Sequence, residues 1–284
     1  MLFFLFVSFF SFFFCLKSIQ GPVCEVTWTY TGIDSIDVGI SAEGKVFSIG
    51  TDSKIYQYDS VNGKNEVIIG YTELMNPTSI TVTPEGIPIV VANCGNIFFY
   101  SKENKDWVRI PGCANDISFG LDGTFWKIGC NHQREGGFEI SRLLCDVSLE
   151  SIFNNNVLHP DSLTKTIENN CKWRDIEGEG NQIAISPEGY VYTNTKNGII
   201  MKYLDGNWMK IDNMIASDID ISNEGILFIV GENGIVYRSI SEELGTWQEI
   251  EGRAQKISVG PYSLPAITSF IGSHLKIASK FYIK

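Results

Sequence analysis

Five of the acidic residues that stand directly before a glycine recur within one repeated motif, and carboxylates that recur at regular spacing could act as metal ligands or as general acids and bases. The pairs are Glu43-Gly44, Glu85-Gly86, Asp122-Gly123, Glu188-Gly189 and Glu224-Gly225. Each pair comes just before alternating hydrophobic residues, a pattern typical of a hairpin turn whose glycine needs a positive φ. We therefore interpret the pairs as turns, not as metal or acid–base sites.

Other catalytic patterns are missing from the sequence. The three histidines, His132, His159 and His274, are isolated and show neither H-x-H nor H-E-x-x-H spacing. There is no G-x-S-x-G elbow and no glycine-rich phosphate loop. The segment 241–247, SEELGTW, resembles the Asp-box of sialidases, but it occurs once and has Glu243 where aspartate is expected. The sequence predicts no catalytic residue, no cofactor and no metal site.

The acid–glycine pairs belong to a longer repeated motif. Its clearest copy is WVRIPGCANDISFGLDGTFWKI (107–128), and related copies lie at 28–49, 173–192, 208–229 and 247–260. A large apolar residue follows each glycine by three positions: Phe47, Ile89, Trp126, Tyr192 and Phe228. Successive glycines are 42, 37, 66 and 36 residues apart, so the long interval holds one repeat plus an insertion.

A repeat of about 37–42 residues built from short β-branched and aromatic runs is the size of a four-stranded propeller blade. We predict an all-β fold with six such blades, whose inner strands cover 36–39, 80–83, 117–120, 183–186, 219–222 and 257–260. The last repeat is one strand short, and VTWTYT (26–31) precedes any inner strand. The N-terminal strand should therefore close the last blade, which removes two exposed sheet edges.

The N-terminal segment predicts the compartment. Residues 1–16 are apolar apart from two serines, a length typical of a secretory signal rather than of a membrane span. We predict a signal peptide over 1–21 and a propeller over 22–284, with no integral membrane span after cleavage. The segment lacks a basic start, so a signal anchor is the alternative. The predicted location is extracellular, or the lumen of the secretory pathway.

Removal of the signal would also remove Cys15 and leave six of the seven cysteines, an even number that favours disulfides in a secreted protein. Cys145 and Cys171 flank the insertion 145–172, and we predict that they are paired. The insertion is polar, rich in asparagine and without a blade pattern, so we expect it to form a loop on one face. Strand alternation puts Cys94, Cys113 and Cys130 on one face, with Cys24 on the face of Cys145 and Cys171. Three cysteines on each face cannot all pair within their faces, so the remaining pairing stays open.

Charge excludes two classes of partner. The whole chain has a formal net charge of −11, and no basic run interrupts it. Nucleic acids and anionic membrane surfaces are therefore poor partners. The N-glycosylation pattern is blocked at Asn76 by the proline that follows.

The motif in 107–128 resembles the tectonin repeat almost position for position, and the resemblance extends over nearly the whole chain after residue 22. Repeat two and the second half of repeat six are degenerate. The resemblance implies a six-bladed propeller and a secreted lectin that binds cell-surface or microbial glycans. The WD40 and kelch patterns fit less well, since the sequence has neither their G-H…W-D pairing nor their glycine doublets.

The recurring tryptophans allow two interpretations. A tryptophan at one strand position in each repeat is typical of a wedge between neighbouring sheets, whereas lectins also use an indole as a stacking surface for sugars. Trp126 is the preferred stacking candidate because it belongs to the copy closest to the family. In that copy, Asn115 and Asp116 are the predicted hydrogen-bonding groups.

Three functions follow from the sequence. The first is a lectin with weak, equivalent sites between blades that recognise neutral sugars multivalently. The second is a non-catalytic interaction propeller without sugar affinity, in which the insertion makes the contact, and a sialidase-like glycosidase is a distant third. The sequence leaves open the identity of the sugar and the oligomeric state.

Overall fold

A computed structural model describes residues 24–70, 72–133, 136–154, 158–240 and 246–283 of the 284-residue chain. β-Strands dominate these ranges, which confirms the predicted all-β class. The signal peptide predicted over 1–21 and most of the Asp-box-like segment lie outside the described residues and stay predictions.

The strands are short except where one strand serves two sets of partners. In chain order they are Cys24–Ile40 (β1), Val46–Gly50 (β2), Ile55–Asp59 (β3), Lys64–Val67 (β4), Ser79–Val82 (β5), Pro88–Ala92 (β6), Asn96–Ser101 (β7), Asp106–Cys113 (β8), Asp116–Phe119 (β9), Phe125–His132 (β10), Phe138–Cys145 (β11), Cys171–Gly180 (β12), Gln182–Ile185 (β13), Val191–Asn194 (β14), Ile199–Leu204 (β15), Asn207–Ile221 (β16), Leu227–Gly231 (β17), Ile235–Ser239 (β18), Trp247–Val259 (β19), Pro265–Ser269 (β20) and His274–Ile283 (β21). The helices are Leu149–Phe153 (α1) and Pro160–Asn170 (α2), with a 3-10 turn at Pro261–Ser263.

Antiparallel hairpins connect these strands into three sheets. Strands β5 to β8 form one four-stranded sheet, and β9 to β12 form another. The other 13 strands are hydrogen-bonded in a continuous order, because β1, β16 and β19 each change partners along their length. In β16, for example, Ile215 pairs with β15 while Ala216 pairs with β17. The predicted inner strands are present, and several begin one residue earlier than expected.

The two ends of the chain meet in one sheet. Strand β1 pairs antiparallel with β21, from Cys24 opposite Ile283 to Asp34 opposite His274. The start of β1 also lies beside β19, where Cys24 is opposite Ile250 in a parallel pairing. The closure predicted from the sequence depends on this pairing of β1.

The acid–glycine turns have the predicted backbone conformation. Their glycines have φ between 77° and 82°. In the first turn, the amide of Gly44 donates to the carbonyl of Ser41 at 2.9 Å, and Ser41 donates to the carbonyl of Lys45 at 2.9 Å. This is the three-residue hairpin loop in which a left-handed residue follows a turn, a position that glycine occupies at least cost.

The insertion differs from the prediction. We expected 145–172 to be a loop without regular structure, but it contains α1 and α2. Pro160 stands in the first turn of α2, where its missing N–H costs nothing, and His159 caps the helix by accepting from the amide of Asp161. Leu163 and Ile167, four residues apart on one face of α2, are both buried.

Both helices pack onto the sheets. The rings of Phe153 in α1 and Phe99 in β7 have centroids 4.2 Å apart. The hydroxyl of Thr164 in α2 donates to the carbonyl of Arg109 in β8 at 3.1 Å. The insertion thus extends the hydrophobic core of the neighbouring repeats and covers the strands beside it.

Two disulfides cross-link the described residues. Cys145 and Cys171 are bonded at the base of the insertion, as predicted, and Cys113 is bonded to Cys130. Cys94, on the face predicted for that second pair, is a free and exposed thiol. The side chain of Cys24 lies outside the described residues.

The Cys145–Cys171 bond should hold a cleaved insertion together. We expect that cutting at a protease site inserted between residues 154 and 158 leaves the two fragments joined on a denaturing gel without reductant and separates them after reduction. The Cys113–Cys130 bond cannot join them, because both cysteines lie on the N-terminal fragment. The Cys145→Ser variant is the control and should separate without reductant; separation of the parent under the same conditions would contradict the bond.

Candidate functional site

Of the three residues predicted to bind a ligand, Asp116 and Trp126 lie inside the protein and Asn115 is exposed. Trp126 is 4% exposed and Asp116 is 8% exposed. The Asn115 side-chain amide donates to the carbonyl of Gly129 at 2.7 Å. Their described contacts are internal, and the structure does not bring the three together on an exposed surface. Their part in ligand binding stays a prediction.

Asp116 connects strands of three different repeats. One carboxylate oxygen accepts a hydrogen bond from the hydroxyl of Ser79 in β5, and the other accepts from the amide of Ile183 in β13, both at 2.8 Å. A buried carboxylate with both oxygens bonded is well suited to hold neighbouring sheets in register.

The recurring tryptophans form contacts between neighbouring repeats. The indole N–H groups of Trp28, Trp173 and Trp208 donate to the carbonyls of Glu251, Pro111 and Glu177, respectively. Each acceptor stands directly before a glycine with φ between 123° and 134°. A Cβ on these glycines (252, 112 and 178) would lie 3.2, 2.6 and 2.3 Å from the indole nitrogen.

The tryptophan and the glycine of the repeated motif are therefore two halves of one contact, made between different repeats. The glycine is needed both for its backbone conformation and for the space that the indole occupies. Of the two interpretations of the sequence, the wedge describes these tryptophans, because their N–H groups are already bonded within the protein.

A cavity of about 90 Å³ lies among the inner strands. Four aspartates from β1, β9 and β16 line it: Asp37, Asp116, Asp218 and Asp220. Lys256 of β19 reaches the same region, where its Nζ lies 3.0 Å from a carboxylate oxygen of Asp218 and 2.8 Å from the side-chain carbonyl of Gln182. Asp37, Asp116 and Asp218 each stand seven residues before the glycine of an acid–glycine pair, so their shared position in the repeat is the sequence signal for this cluster.

Burial shifts the pKa values of these groups. It raises the pKa of Asp37 to about 7 and that of Asp116 to about 6, against the opposing effect of Lys256 and of hydrogen bonds, and it raises the pKa of Asp220 to about 7 against hydrogen bonds alone. The pKa of Asp218 is also raised by burial. Burial alone would lower the pKa of Lys256, but the facing aspartates raise it above its usual range.

The carboxylates of the cavity accept hydrogen bonds from backbone amides, and Asp218 is also bonded to Lys256. Asp37 accepts from the amide of Ile80 at 2.9 Å, Asp218 from Ile257 at 2.8 Å and Asp220 from Val259 at 2.6 Å. Each of these bonds joins one repeat to another. The arrangement is therefore a structural network, and the cavity is too small for more than a few water molecules.

A larger groove, of about 600 Å³, opens beside the insertion. One wall is the turn 121–124, and the other is formed by 142–147 and the beginning of α1. Arg142 lines the groove, and its guanidinium carbon lies 5.8 Å from the centre of the Trp126 ring. A volume of this size is typical of small-molecule sites.

His274 has a carboxylate partner that the sequence did not reveal. Its Nδ1 lies 2.6 Å from an oxygen of Asp34, which also accepts from the hydroxyl of Tyr30 at 3.2 Å. All three side chains are roughly half exposed. They tie β1 to β21 near the point where the two ends of the chain meet.

Two searches of the described residues were negative. No group of three or more His, Cys, Asp and Glu residues among them could hold a metal ion. No helix within the described ranges is both long and apolar enough to cross a membrane.

Part of the chain matches a known family. Residues 154–270 match the family model of the Tectonin domain. The match covers 117 of the 284 residues. The tectonin resemblance of the repeats is thereby confirmed for this segment, and a search of curated proteins gave no match.

Three solved structures, one of them a β-propeller domain, are similar to this chain in fold. A gluconolactonase from Xanthomonas campestris has a TM-score of 0.62 and 13% identity, with 92% of this chain and 95% of that chain covered. The virginiamycin B lyase from Staphylococcus aureus has a TM-score of 0.51 and 14% identity, with 92% and 89% covered. The Swd1 β-propeller domain from Myceliophteria thermophila has a TM-score of 0.56 and 12% identity, with 89% and 100% covered. At these identities the likeness concerns the fold alone, which is a β-propeller type.

Proposed function

We propose that the protein is a secreted, non-catalytic lectin that binds cell-surface or microbial glycans through weak sites on a propeller. The observation that carries this proposal is the Tectonin domain at 154–270, because tectonin repeats are typical of glycan-binding propellers. The enzymes among the similar structures contribute nothing to this choice, since the likeness to them extends only to the fold.

The scaffold we propose is a ring of six four-stranded blades. The sheets β5–β8 and β9–β12 are two such blades, and the changes of partner in β1, β16 and β19 divide the 13-stranded sheet into four more. The pairing of β1 with β21 supports closure by the N-terminal strand. Backbone amides of neighbouring repeats donate hydrogen bonds to Asp37, Asp116, Asp218 and Asp220, which supports a ring with a polar axis.

One observation supports secretion, and another supports the choice of neutral sugars. The bonds Cys113–Cys130 and Cys145–Cys171 suit an oxidising compartment. The net charge of −11 disfavours phosphates and sialic acids, so the preferred ligands are neutral sugars.

One feature favours a second function. The two helices of the insertion are fixed to the sheets by a hydrophobic core and by the Cys145–Cys171 bond, and they form a surface that the other repeats do not have. Such a rigid surface would suit an interaction propeller that binds a protein partner and has no sugar affinity.

A glycan array tests the lectin function. We expect the secreted protein to bind clustered neutral glycans 10²–10⁴ times more tightly than the same sugar in monomeric form, because several weak sites act together. Single sites should lie near the millimolar end of the affinity scale. Agglutination of glycan-coated beads, with inhibition by free sugar, gives the second measurement. A protein that binds no saccharide on the array, or one that binds monomeric and clustered sugar equally, would contradict the multivalent lectin.

A further inference from the structure

Among the described residues, the groove lies beside the insertion of the third repeat, which has no counterpart in the repeat pattern of the sequence. Its turn wall comes from a repeated acid–glycine motif, whereas its other wall, from Arg142 to Glu150, leads into α1. The Cys145–Cys171 bond and the buried face of α1 fix this second wall. The groove is therefore preformed, and it offers chemistry that the equivalent places in the other repeats do not have.

Arg142 provides the main hydrogen-bond donor of the groove. It lies opposite Trp126 in the β10–β11 pairing, with its guanidinium over the indole ring. Its Nε–H is buried and has no acceptor among the described residues. Because this nitrogen is shielded from solvent, a ligand would meet the guanidinium where Arg142 lines the groove, and the unpaired Nε–H shows that the described residues leave this donor unused.

The turn wall holds a carboxylate in a fixed position. The indole N–H of Trp126 donates to the hydroxyl of Thr124 at 3.3 Å, and that hydroxyl donates to Asp122 at 2.8 Å. The amide of Thr124 also donates to the same carboxylate oxygen at 3.1 Å. Asp122 is exposed, so its carboxylate can accept hydrogen bonds from a ligand.

The remaining surface of the groove selects among ligands. Asp122, Asp146 and Glu150 outnumber the single positive charge of Arg142, so an anionic ligand is disfavoured. Leu144 and Val147 are 41% and 44% exposed and offer apolar contact for C–H or methyl groups. Carboxylates, a guanidinium and small apolar patches together match a ligand that carries hydroxyls, a carbonyl oxygen and C–H faces.

We propose that this groove binds one neutral, N-acylated sugar residue, with Arg142 donating to the acyl carbonyl and Asp122 accepting from sugar hydroxyls. The proposal rests on the proposed lectin function and adds a single site of distinct chemistry to the weak sites between blades. Trp126, buried beneath Arg142, acts here as a positioning residue that supports the guanidinium and the Thr124–Asp122 wall.

Titration calorimetry with the methyl glycosides of N-acetylglucosamine, N-acetylgalactosamine, glucose and glucuronic acid tests the site. We expect one of the two N-acetylated sugars to bind with a stoichiometry of one per chain, and glucose and glucuronate to bind at least tenfold more weakly. The Arg142→Met variant keeps an apolar side chain over Trp126 but removes the donor, and it should lose about tenfold to a hundredfold in affinity, the worth of one hydrogen bond to a charged group. Its matched control is Arg174→Met, because Arg174 is exposed and lies opposite Arg142 in the neighbouring strand without lining the groove.

A second pair of variants keeps the test independent of the stability of Arg142→Met. Ser148 is exposed and lines the groove, so Ser148→Trp should fill it and abolish binding of the N-acetylated sugar. Ser151 is exposed on α1 and does not line the groove, so Ser151→Trp should bind as the parent does.

The outcomes distinguish failure of the groove proposal from failure of the proposed lectin function. If the parent binds clustered glycans but both groove variants bind the N-acetylated monosaccharide as the parent does, the groove proposal is wrong and the lectin stands. Tighter binding of glucuronate than of the neutral sugars overturns the proposed ligand class. A parent that binds no saccharide overturns both proposals, and capture of a peptide by the parent but not by Ser148→Trp would assign the groove to a protein partner instead.

Discussion

Deletion of residues 22–31 is expected to unfold the whole protein rather than to shorten a tail. The deletion removes most of the segment of β1 that pairs with β21, from Cys24 to Tyr30. It also removes Trp28, whose indole donates to the carbonyl of Glu251 at 2.8 Å, and Val26, which is buried in the core shared by β17 to β21. The strand β21 would then present an unpaired edge, and its core would open to water.

The measurement is thermal and urea unfolding followed by circular dichroism. We expect the truncated protein to lose its β-type spectrum or to melt far below the parent, in a single transition, since opening one blade removes support from both neighbours. The control is the chain that begins at residue 22, which should melt with the parent after its signal is removed. A truncated protein that keeps the β-type spectrum and the melting temperature would overturn the closed ring.

Local rules account for what the sequence predicted correctly. A glycine after Glu43 or Asp122 can be placed in a turn from its neighbours alone, because positive φ is a local requirement. The inner strands follow from short β-branched runs of fixed spacing, because each repeat contains such a run of its own. The Cys145–Cys171 bond follows from its position at the two ends of an insertion, since those ends must return to adjacent strands.

Features that depend on other repeats could not be predicted in the same way. Alternation along β10 shows that Trp126 and Lys127 point to opposite faces, but it does not show that Trp126 is covered from above by Arg142. Asp116 resembled a ligand group because its partners, Ser79 and Ile183, are 37 and 67 residues away. Its role becomes visible only when the repeats are placed side by side.

The helices of the insertion could not be predicted from the sequence for a different reason. It has no counterpart in the other repeats, so the repeat pattern carries no information about it. Leu163 and Ile167 gave a helical spacing, and Pro160 gave a helix start, yet the polar residues around them obscured the signal. The helix is stabilised mainly by packing on the sheets, and the sequence of a short segment gives no information about such tertiary contacts.

The Lys256→Met variant is expected to destabilise the protein by about 3–5 kcal/mol near neutral pH, the usual cost of breaking a buried charge pair. Lys256 is bonded to Asp218 at 3.0 Å and also acts electrostatically on Asp37 and Asp116. Without the lysine, these carboxylates face one another and Asp220 with no compensating positive charge. The free energy of unfolding, measured by urea titration, gives the size of the effect.

The stability of the parent protein should itself depend on pH. Asp37 has its pKa raised from 3.8 to about 7, so the folded protein binds more protons than the unfolded chain between about pH 4 and pH 7. The free energy of unfolding should therefore fall as the pH rises through this window, by at most about 4 kcal/mol for a group shifted this far. The parent should melt at a higher temperature at pH 5.5 than at pH 8.

Loss of Lys256 should steepen that dependence. The lysine lowers the pKa of each facing carboxyl, so its removal raises those pKa values further and increases the cost of ionising the cluster at pH 8. At pH 5.5 the carboxyls of the variant are largely protonated, and the difference from the parent should be clearly smaller. Lys54→Met is the matched control, because Lys54 forms an exposed pair with Asp52 at 2.9 Å and should change stability little at either pH. An equal loss for Lys256→Met at pH 5.5 and pH 8 would mean that the lysine acts by packing and not by neutralising the aspartates of the axis.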